Sequence, residues 1–196
     1  MKVIGVTGGI GAGKSTVIKL ARENFCVAVI YTDDVAKEQM KKGGCSYFDV
    51  VNEFGEEILD EDGEINRSKL AQIVFSDKLK VKKINQITHP KVKDVTLQKI
   101  DEYRKSGEYE AVLVETALLF EAKFDKFCDE TWFIDASEEV RRQRLICSRN
   151  YSKDKIDAIF EKQENVSYAK QHCTHIISND DSTTNEEIVE KLKKLI

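Results

Sequence analysis

The chain has 196 residues, of which 41% are hydrophobic and 34% charged, with a net charge of −4 and a pI near 5.6. That length suits one domain over residues 1–196, with room for an insertion, and supports a sizeable core. The acidic balance excludes an electrostatic nucleic-acid binder, and no apolar run approaches membrane-spanning length, so neither nucleic acid nor membrane is expected as a partner.

The first predicted element is a buried strand, "KVIGV", in which Val3, Ile4 and Val6 carry the apolar signal. "GGIGAGKS", residues 8–15, follows at once. Gly8, four residues, then Gly13-Lys14-Ser15 make the phosphate-loop pattern G-x-x-x-x-G-K-[ST]. Val17, Ile18 and Leu20 begin the apolar face of a helix expected to end near Asn24. Glycines let successive N–H groups turn inward into a nest that wraps phosphate, and the helix aims its positive end at the same anion. In such a loop Lys14 reaches the β- and γ-phosphates and the Ser15 hydroxyl ligates Mg²⁺. The bland alternative is a glycine-rich turn before an ordinary helix. With glycine at about 7% of residues, a chance match in so short a chain is roughly a one-in-a-hundred event. The flanking strand and helix reduce it further, so a nucleoside triphosphate site is expected. No signal peptide is expected either, because the loop pattern opens the chain almost at once.

The second strand, "VAVIY", leads into Thr32-Asp33-Asp34, and "DVAKEQMKK" reads as a short helix stopped by Gly43-Gly44. Asp33 and Asp34 have two readings, a helix N-cap and a catalytic carboxylate, and capping is the commoner role for such residues. Residues 46–105 contain no central strand. "SYFDVVNEFG", "RSKLAQIVF" and a long segment from "KLKVKK" to "DEYRK" read as helical, with Pro90 breaking or starting a helix. That span exceeds a plain crossover and is expected to be a helical insertion that binds a second substrate. The third strand, "AVLVE", ends at Glu115, placed to bind Mg²⁺ directly or through water, although many strands end in charge. "TWFID" and "HIIS" complete five candidate strands. Short apolar runs alternating with amphipathic ones give the rhythm of a parallel sheet covered on both faces, whose strand ends converge on one crevice.

Five cysteines (Cys26, Cys45, Cys128, Cys147 and Cys173) form an odd count with no C-x-x-C, which predicts reduced, buried thiols in a cytoplasmic protein. "HCTH", residues 172–175, lacks a fourth ligand at zinc-like spacing and reads as ordinary structure. Arg141, Arg142, Arg144 and Arg149 would ordinarily be a solvated helix face. His89 would by default be a surface or capping histidine.

The blocks "GVTGGIGAGKST", an Asp after strand two, "ILDEDGEINRSKLAQIVF", "INQITHPKV", "LLFE" and "ISND" resemble, in that order, dephospho-CoA kinase. The resemblance covers most of the chain, and the "GEINR" and "THP" blocks are more selective than the phosphate loop. It implies an α/β P-loop kinase core, with a five-stranded parallel sheet flanked by helices, a helical CoA-binding insertion over 46–105 and a lid over 141–155. It also implies ATP-dependent phosphorylation of the ribose 3′-hydroxyl of dephospho-CoA to give coenzyme A and ADP, with ATP and Mg²⁺ required. The expected partner is that small molecule, with the chain a monomer or weak homo-oligomer.

Residue by residue, the resemblance assigns the ATP phosphates to Gly8 and to Gly11, Ala12, Gly13, Lys14, Ser15 and Thr16, and the adenine side to Asn179. Asp33 matches the second Asp of the family's D-x-D, the general base. Arg67, His89 and Lys37 match substrate-binding positions, and Gln163 matches a glutamine of the helix after the lid. Position in the lid makes transition-state charge stabilisation the expected role of Arg144 and Arg149.

The chain departs from the family pattern at Tyr31 for the first Asp, Lys37 for an arginine, Ala117 for a proline, and in the lid. Arg149 lies five residues after Arg144 where the family spaces two arginines by four, which puts Ser148 in the arginine's register. Either Arg149 reaches the phosphates from a shifted position or the lid is rebuilt locally. Asp34 stands as the substitute should Asp33 not be the base. Rival readings are weaker. A GTPase would carry N-K-x-D, which does not occur; another small-metabolite or nucleotide kinase would lack the "GEINR" and "THP" blocks; a non-catalytic binding module would lack Asp33.

Overall fold

Parallel pairing requires strands buried on both faces and long crossovers between them. In the computed structural model, which describes residues 1–161 and 165–196, five such strands form one sheet. Strand β1 (Lys2–Thr7) is followed by α1 (Lys14–Asn24), β2 (Val27–Tyr31), α2 (Thr32–Gln39) and α3 (Tyr47–Phe54). Next come α4 (Arg67–Phe75), α5 (Lys78–Ser106), β3 (Ala111–Glu115), β4 (Glu130–Asp135) and α6 (Glu138–Arg149). The described chain continues with α7 (Lys153–Glu161), α8 (Asn165–His172), β5 (His175–Ser178) and α9 (Asn185–Lys193). All five expected strands are present, in the order β2-β3-β1-β4-β5. The register pairs Val6 with Glu115, Thr7 with Phe133, and Asp135 with Ser178, so these strand ends share one edge of the sheet.

The chain divides into two compact units. The first, Met1–Ile30 with Glu102–Ile196, contains the sheet core. Ile4, Leu113, Trp132, Ile134 and Ile177 are fully buried there, and α1 packs with α9, whose Ile188 and Leu192 face inward. Lys2 Nζ donates to Leu195 O at 2.7 Å, tying the last turn to the first strand. The second unit, Tyr31–Asp101, has its own apolar cluster of Val50, Phe54, Ile58, Leu70 and Val74, with Val81, Ile84 and Ile87 packed against it. Asn66 caps α4 by accepting from Lys69 N–H, and Lys91 pairs with Asp49.

Three local expectations are corrected. Helix α2 begins at Thr32 and ends at Gln39, before Gly43-Gly44, because Ser46 N–H donates to Gln39 O at 3.0 Å and folds the chain back. The residue capping α2 is Tyr31, with no side-chain hydrogen bond, so neither Asp33 nor Asp34 is its cap. Pro90 neither breaks nor starts a helix: α5 runs through it for 29 residues. Its buried positions, Thr88, Val92, Thr96 and Ile100, recur every four residues across the proline, so burial of that stripe outweighs the lost N–H donor. Pro90→Ala is therefore expected to stabilise the protein by about 1–2 kcal/mol, the cost of an interior proline less the entropy it removes from the unfolded chain. Calorimetric unfolding checks this; an unchanged or lowered midpoint contradicts it.

The cysteines are free thiols, but none is fully buried: Cys26, Cys45 and Cys147 are exposed and Cys128 and Cys173 half-buried. Cys26 falls in the turn between α1 and β2, Cys45 in the loop after α2, and Cys147 on the exposed side of α6. Burial, with Asp125 and Asp129 nearby, pushes the Cys128 thiol up to about 12. No helix among the described residues is long and apolar enough to cross a membrane.

Candidate active site

Two glycines of the loop between β1 and α1 are required by its shape. Gly11 and Gly13 adopt φ of 80° and 81°, the left-handed region. Space forbids a side chain as well, since a Cβ on Gly11 would stand 2.8 Å from Arg141 O, and one on Gly13 2.1 Å from Asn179 Nδ2. Gly13 caps α1 with no side-chain acceptor, so the first N–H groups of that helix carry its positive pole into the loop. Lys14 arches back over the loop: its Nζ donates to Gly8 O at 3.0 Å and lies 3.8 Å from Glu115 Oε1, with both side chains only 17% exposed. The lysine and the acid that closes β3 thus meet at one edge of the sheet. Ser15 and Thr16 are exposed in the first turn of α1. A concavity of about 200 Å³ opens beside Gly8, lined by Thr7, Leu118, Phe120, Phe133 and Ala169 among others.

The loop is braced from behind by the turn after β5. Asn179 is buried, and its Nδ2 donates to Ala12 O at 2.8 Å and to Gly13 O at 3.4 Å. Arg144 NH1 donates to Asn179 O at 2.9 Å, while NH2 reaches Asp181 at 3.0 Å. Asp180 accepts from Ser137 N–H at the start of α6, which holds its carboxyl below the usual range. Phosphate loop, β5 turn and α6 are thus one hydrogen-bonded assembly.

The arginine run is not uniform. Arg142 bridges Glu138 at 2.8 Å and Asp157 at 2.5 Å, and these hydrogen bonds raise its pKa. Arg149 ends α6 exposed, about 140° around the helix from Arg144, with no hydrogen bond or ion pair among the described residues. Gln163 lies outside the described residues.

In the second unit, Lys37 and Arg67 come together with Lys41, Met40, Ile65 and Glu64 around a cavity of about 310 Å³. Lys37 Nζ bonds Asp34 Oδ1 at 2.6 Å, leaving Asp33 exposed in the first turn of α2 with no partner among the described residues. His89 is half-buried one residue before Pro90 and is not among that cavity's lining residues. Its burial lowers its pKa, favouring the neutral ring.

The dephospho-CoA kinase family model matches residues 2–185. The chain belongs to that family. It is accordingly a transferase that phosphorylates an alcohol group, acting at the last step of coenzyme A biosynthesis. A dephospho-CoA kinase of Carboxydothermus hydrogenoformans is 36% identical over 196 aligned residues, covering 99% of this chain and 94% of the relative. One of Bacillus cereus is 35% identical over 178, covering 91% and 88%. A Thermus thermophilus protein of known crystal structure superposes with a TM-score of 0.80 at 26% identity over 99% of this chain and 95% of that one. A dephospho-CoA kinase from Campylobacter jejuni, 24% identical, shares the fold with a TM-score of 0.73 over 98% and 96% of the two chains.

Within this dephospho-CoA kinase family member, sequence reasoning missed Asp181, the partner of Arg144, and the stitching of Asp180 to α6. The signal was available: "NDD" follows directly on β5, a polar run just past the end of an apolar strand. Lys41 was missed as a third cation beside Lys37 and Arg67, three residues from Glu38 with which it pairs at 2.7 Å.

Proposed function

We propose that the chain moves the γ-phosphoryl group of ATP onto the ribose 3′-hydroxyl of dephospho-CoA, with Asp33 as the base. The observation that carries this is the Lys14 arch, whose ammonium stands 3.0 Å from Gly8 O and beside Glu115, in a family member matched over residues 2–185. The loop's N–H groups and Lys14 hold the β- and γ-phosphates, placing charge where it accumulates as the phosphoryl group transfers. Asp33 takes the proton of the ribose hydroxyl as its oxygen bonds to the γ-phosphorus. The bond from that phosphorus to the β–γ bridging oxygen breaks, and ADP leaves. Residues 141–155 act as the lid and 46–105 as the substrate-binding insertion.

Ser15 and Glu115 suit Mg²⁺: both offer oxygen at the loop, and no cluster of three acids, histidines or cysteines occurs among the described residues. Such a sparse set fits an ion that draws most of its ligands from water and phosphate. Bound there, it would neutralise charge on the β- and γ-oxygens.

The cavity with Lys37, Lys41 and Arg67 and the apolar Met40 and Ile65 fits an anionic group on a partly apolar ligand, such as the diphosphate of dephospho-CoA. Arg67→Ala is expected to raise the KM for dephospho-CoA about 10- to 100-fold, the worth of a charged hydrogen bond, with that for ATP little changed. Steady-state titration of each substrate checks it, and equal effects on both would remove Arg67 from the substrate site. The overall reading is tested by ADP release with and without dephospho-CoA. Release that ignores dephospho-CoA would refute it.

A further inference from the structure

The face of α6 that rests on the phosphate loop carries residues 141, 144 and 148. The backbone of Arg141 abuts Gly11, to the point that a Cβ there would meet its carbonyl oxygen, Cα and Cβ. Arg144 NH1 would lie 3.4 Å from a Cβ on Gly13. Ser148 turns its hydroxyl back to Arg144 O at 2.5 Å, so the third position brings no charge.

The charges on this helix are in different states. Arg142 is neutralised by Glu138 and Asp157, and Arg144 by Asp181 and the Asn179 carbonyl. Arg141 has neither a hydrogen bond nor an ion pair among the described residues. Its guanidinium lies over the Phe160 ring, 4.3 Å from the centroid, and its Nε is buried with no partner. Only one other buried side-chain atom among the described residues is unpartnered, the Ser46 hydroxyl.

A half-buried cation whose nearby acids, Glu138 and Asp135, make no hydrogen bond or ion pair with it is costly to keep, and burial pulls the Arg141 pKa below its ordinary value despite them. The aromatic stack recovers only part of that cost, on the order of 1–2 kcal/mol. What restores the balance is an anion, and the loop on which Arg141 sits is the molecule's anion cradle.

We infer that Arg141, whose backbone abuts Gly11, is a nucleotide-binding residue that contacts the triphosphate of ATP from α6, with its guanidinium positioned by the Phe160 ring. The inference rests on the kinase reading above and adds to it the identity of the α6 cation that reaches the phosphates. Phe160 on α7 keeps the guanidinium extended, so that its remaining N–H groups can meet phosphate oxygens without further ordering of the side chain.

The experiment compares Arg141→Gln and Arg141→Lys with the unaltered protein. It reads turnover at saturation in both substrates, and binding of ATP and of adenosine by calorimetry, with thermal midpoints to exclude misfolding. Arg141→Gln is expected to lose about 100-fold in kcat, the worth of one preorganised donor, and to weaken ATP binding while leaving adenosine binding within twofold. Arg141→Lys should fall between, keeping charge without the planar fork. Turnover and ATP binding within twofold of the original would overturn the inference. So would equal weakening of ATP and adenosine, which marks a packing role. Should the unaltered protein release no ADP with dephospho-CoA, the kinase reading falls, yet the contrast between ATP and adenosine still judges Arg141.

Discussion

Lys14→Ala is expected to abolish turnover, lowering kcat by about 1,000-fold or more, because a cation aimed at the transferring phosphoryl group is lost. The effect exceeds simple loss of attraction. In the folded protein the Lys14 ammonium stands 3.8 Å from Glu115, an acid that is largely shielded from water. Without the lysine, that carboxylate loses the cation 3.8 Å away, and its repulsion of the phosphates the loop would collect grows. ATP affinity should therefore fall together with turnover. The ADP-release assay and calorimetric ATP titration read the two effects separately. Near-normal turnover would exclude the loop as the phosphoryl-transfer site.

Asp33→Asn is the second large effect. Removing a general base costs on the order of 100- to 10,000-fold in rate, and ATP binding should survive because the role proposed for Asp33 is on the acceptor side of the reaction. The cap explanation is gone, since Tyr31 caps α2 without a side-chain bond and Asp33 is the second residue of the first turn. What remains of a structural role is its charge at the positive end of a helix, worth about 0.3–1 kcal/mol. Asparagine keeps the size, so a severe loss of turnover with a nearly constant thermal midpoint isolates proton acceptance. Asp34→Asn is the matched control, for Asp34 is engaged with Lys37 at 2.6 Å. If Asp34→Asn alone lost activity, the base would be one residue along. If both variants stayed active, no carboxylate at the start of α2 serves as base.

The strands and the phosphate loop were legible because they follow from local rules: short apolar runs bounded by breakers, and glycines at fixed spacing before Lys14. Helix α5 was not, because the rule that proline interrupts helices is local, whereas the stripe from Thr88 to Ile100 is held by burial. The acids after β2 were legible as a pair but not in role, since which one is free depends on Lys37 reaching back three residues to Asp34. The arginines of α6 were legible only as a group. Their separation into paired and unpaired depends on Asp157 of α7, fifteen residues from Arg142, and on Asp181, thirty-seven from Arg144. Asn179 was placed by resemblance beside the nucleotide, but its amide bond to Ala12 spans 167 residues of sequence and no local pattern announces it.

That amide has a thermodynamic consequence. In a trans peptide the carbonyl of one residue and the N–H of the next point in opposite directions. Asn179 draws the Ala12 carbonyl oxygen to itself, and the Gly13 oxygen accepts from Thr16 and Val17 N–H as α1 begins, with Asn179 Nδ2 at 3.4 Å, so the N–H groups of Gly13 and Lys14 turn away from those partners. Two anion donors are therefore aimed by folding, before any nucleotide arrives. The entropy of fixing those peptide planes is borne once, when the chain folds, and is not charged again at each turnover. Capture of the triphosphate then proceeds against a rigid target, with its free energy left to oppose the loss of the ligand's own motion.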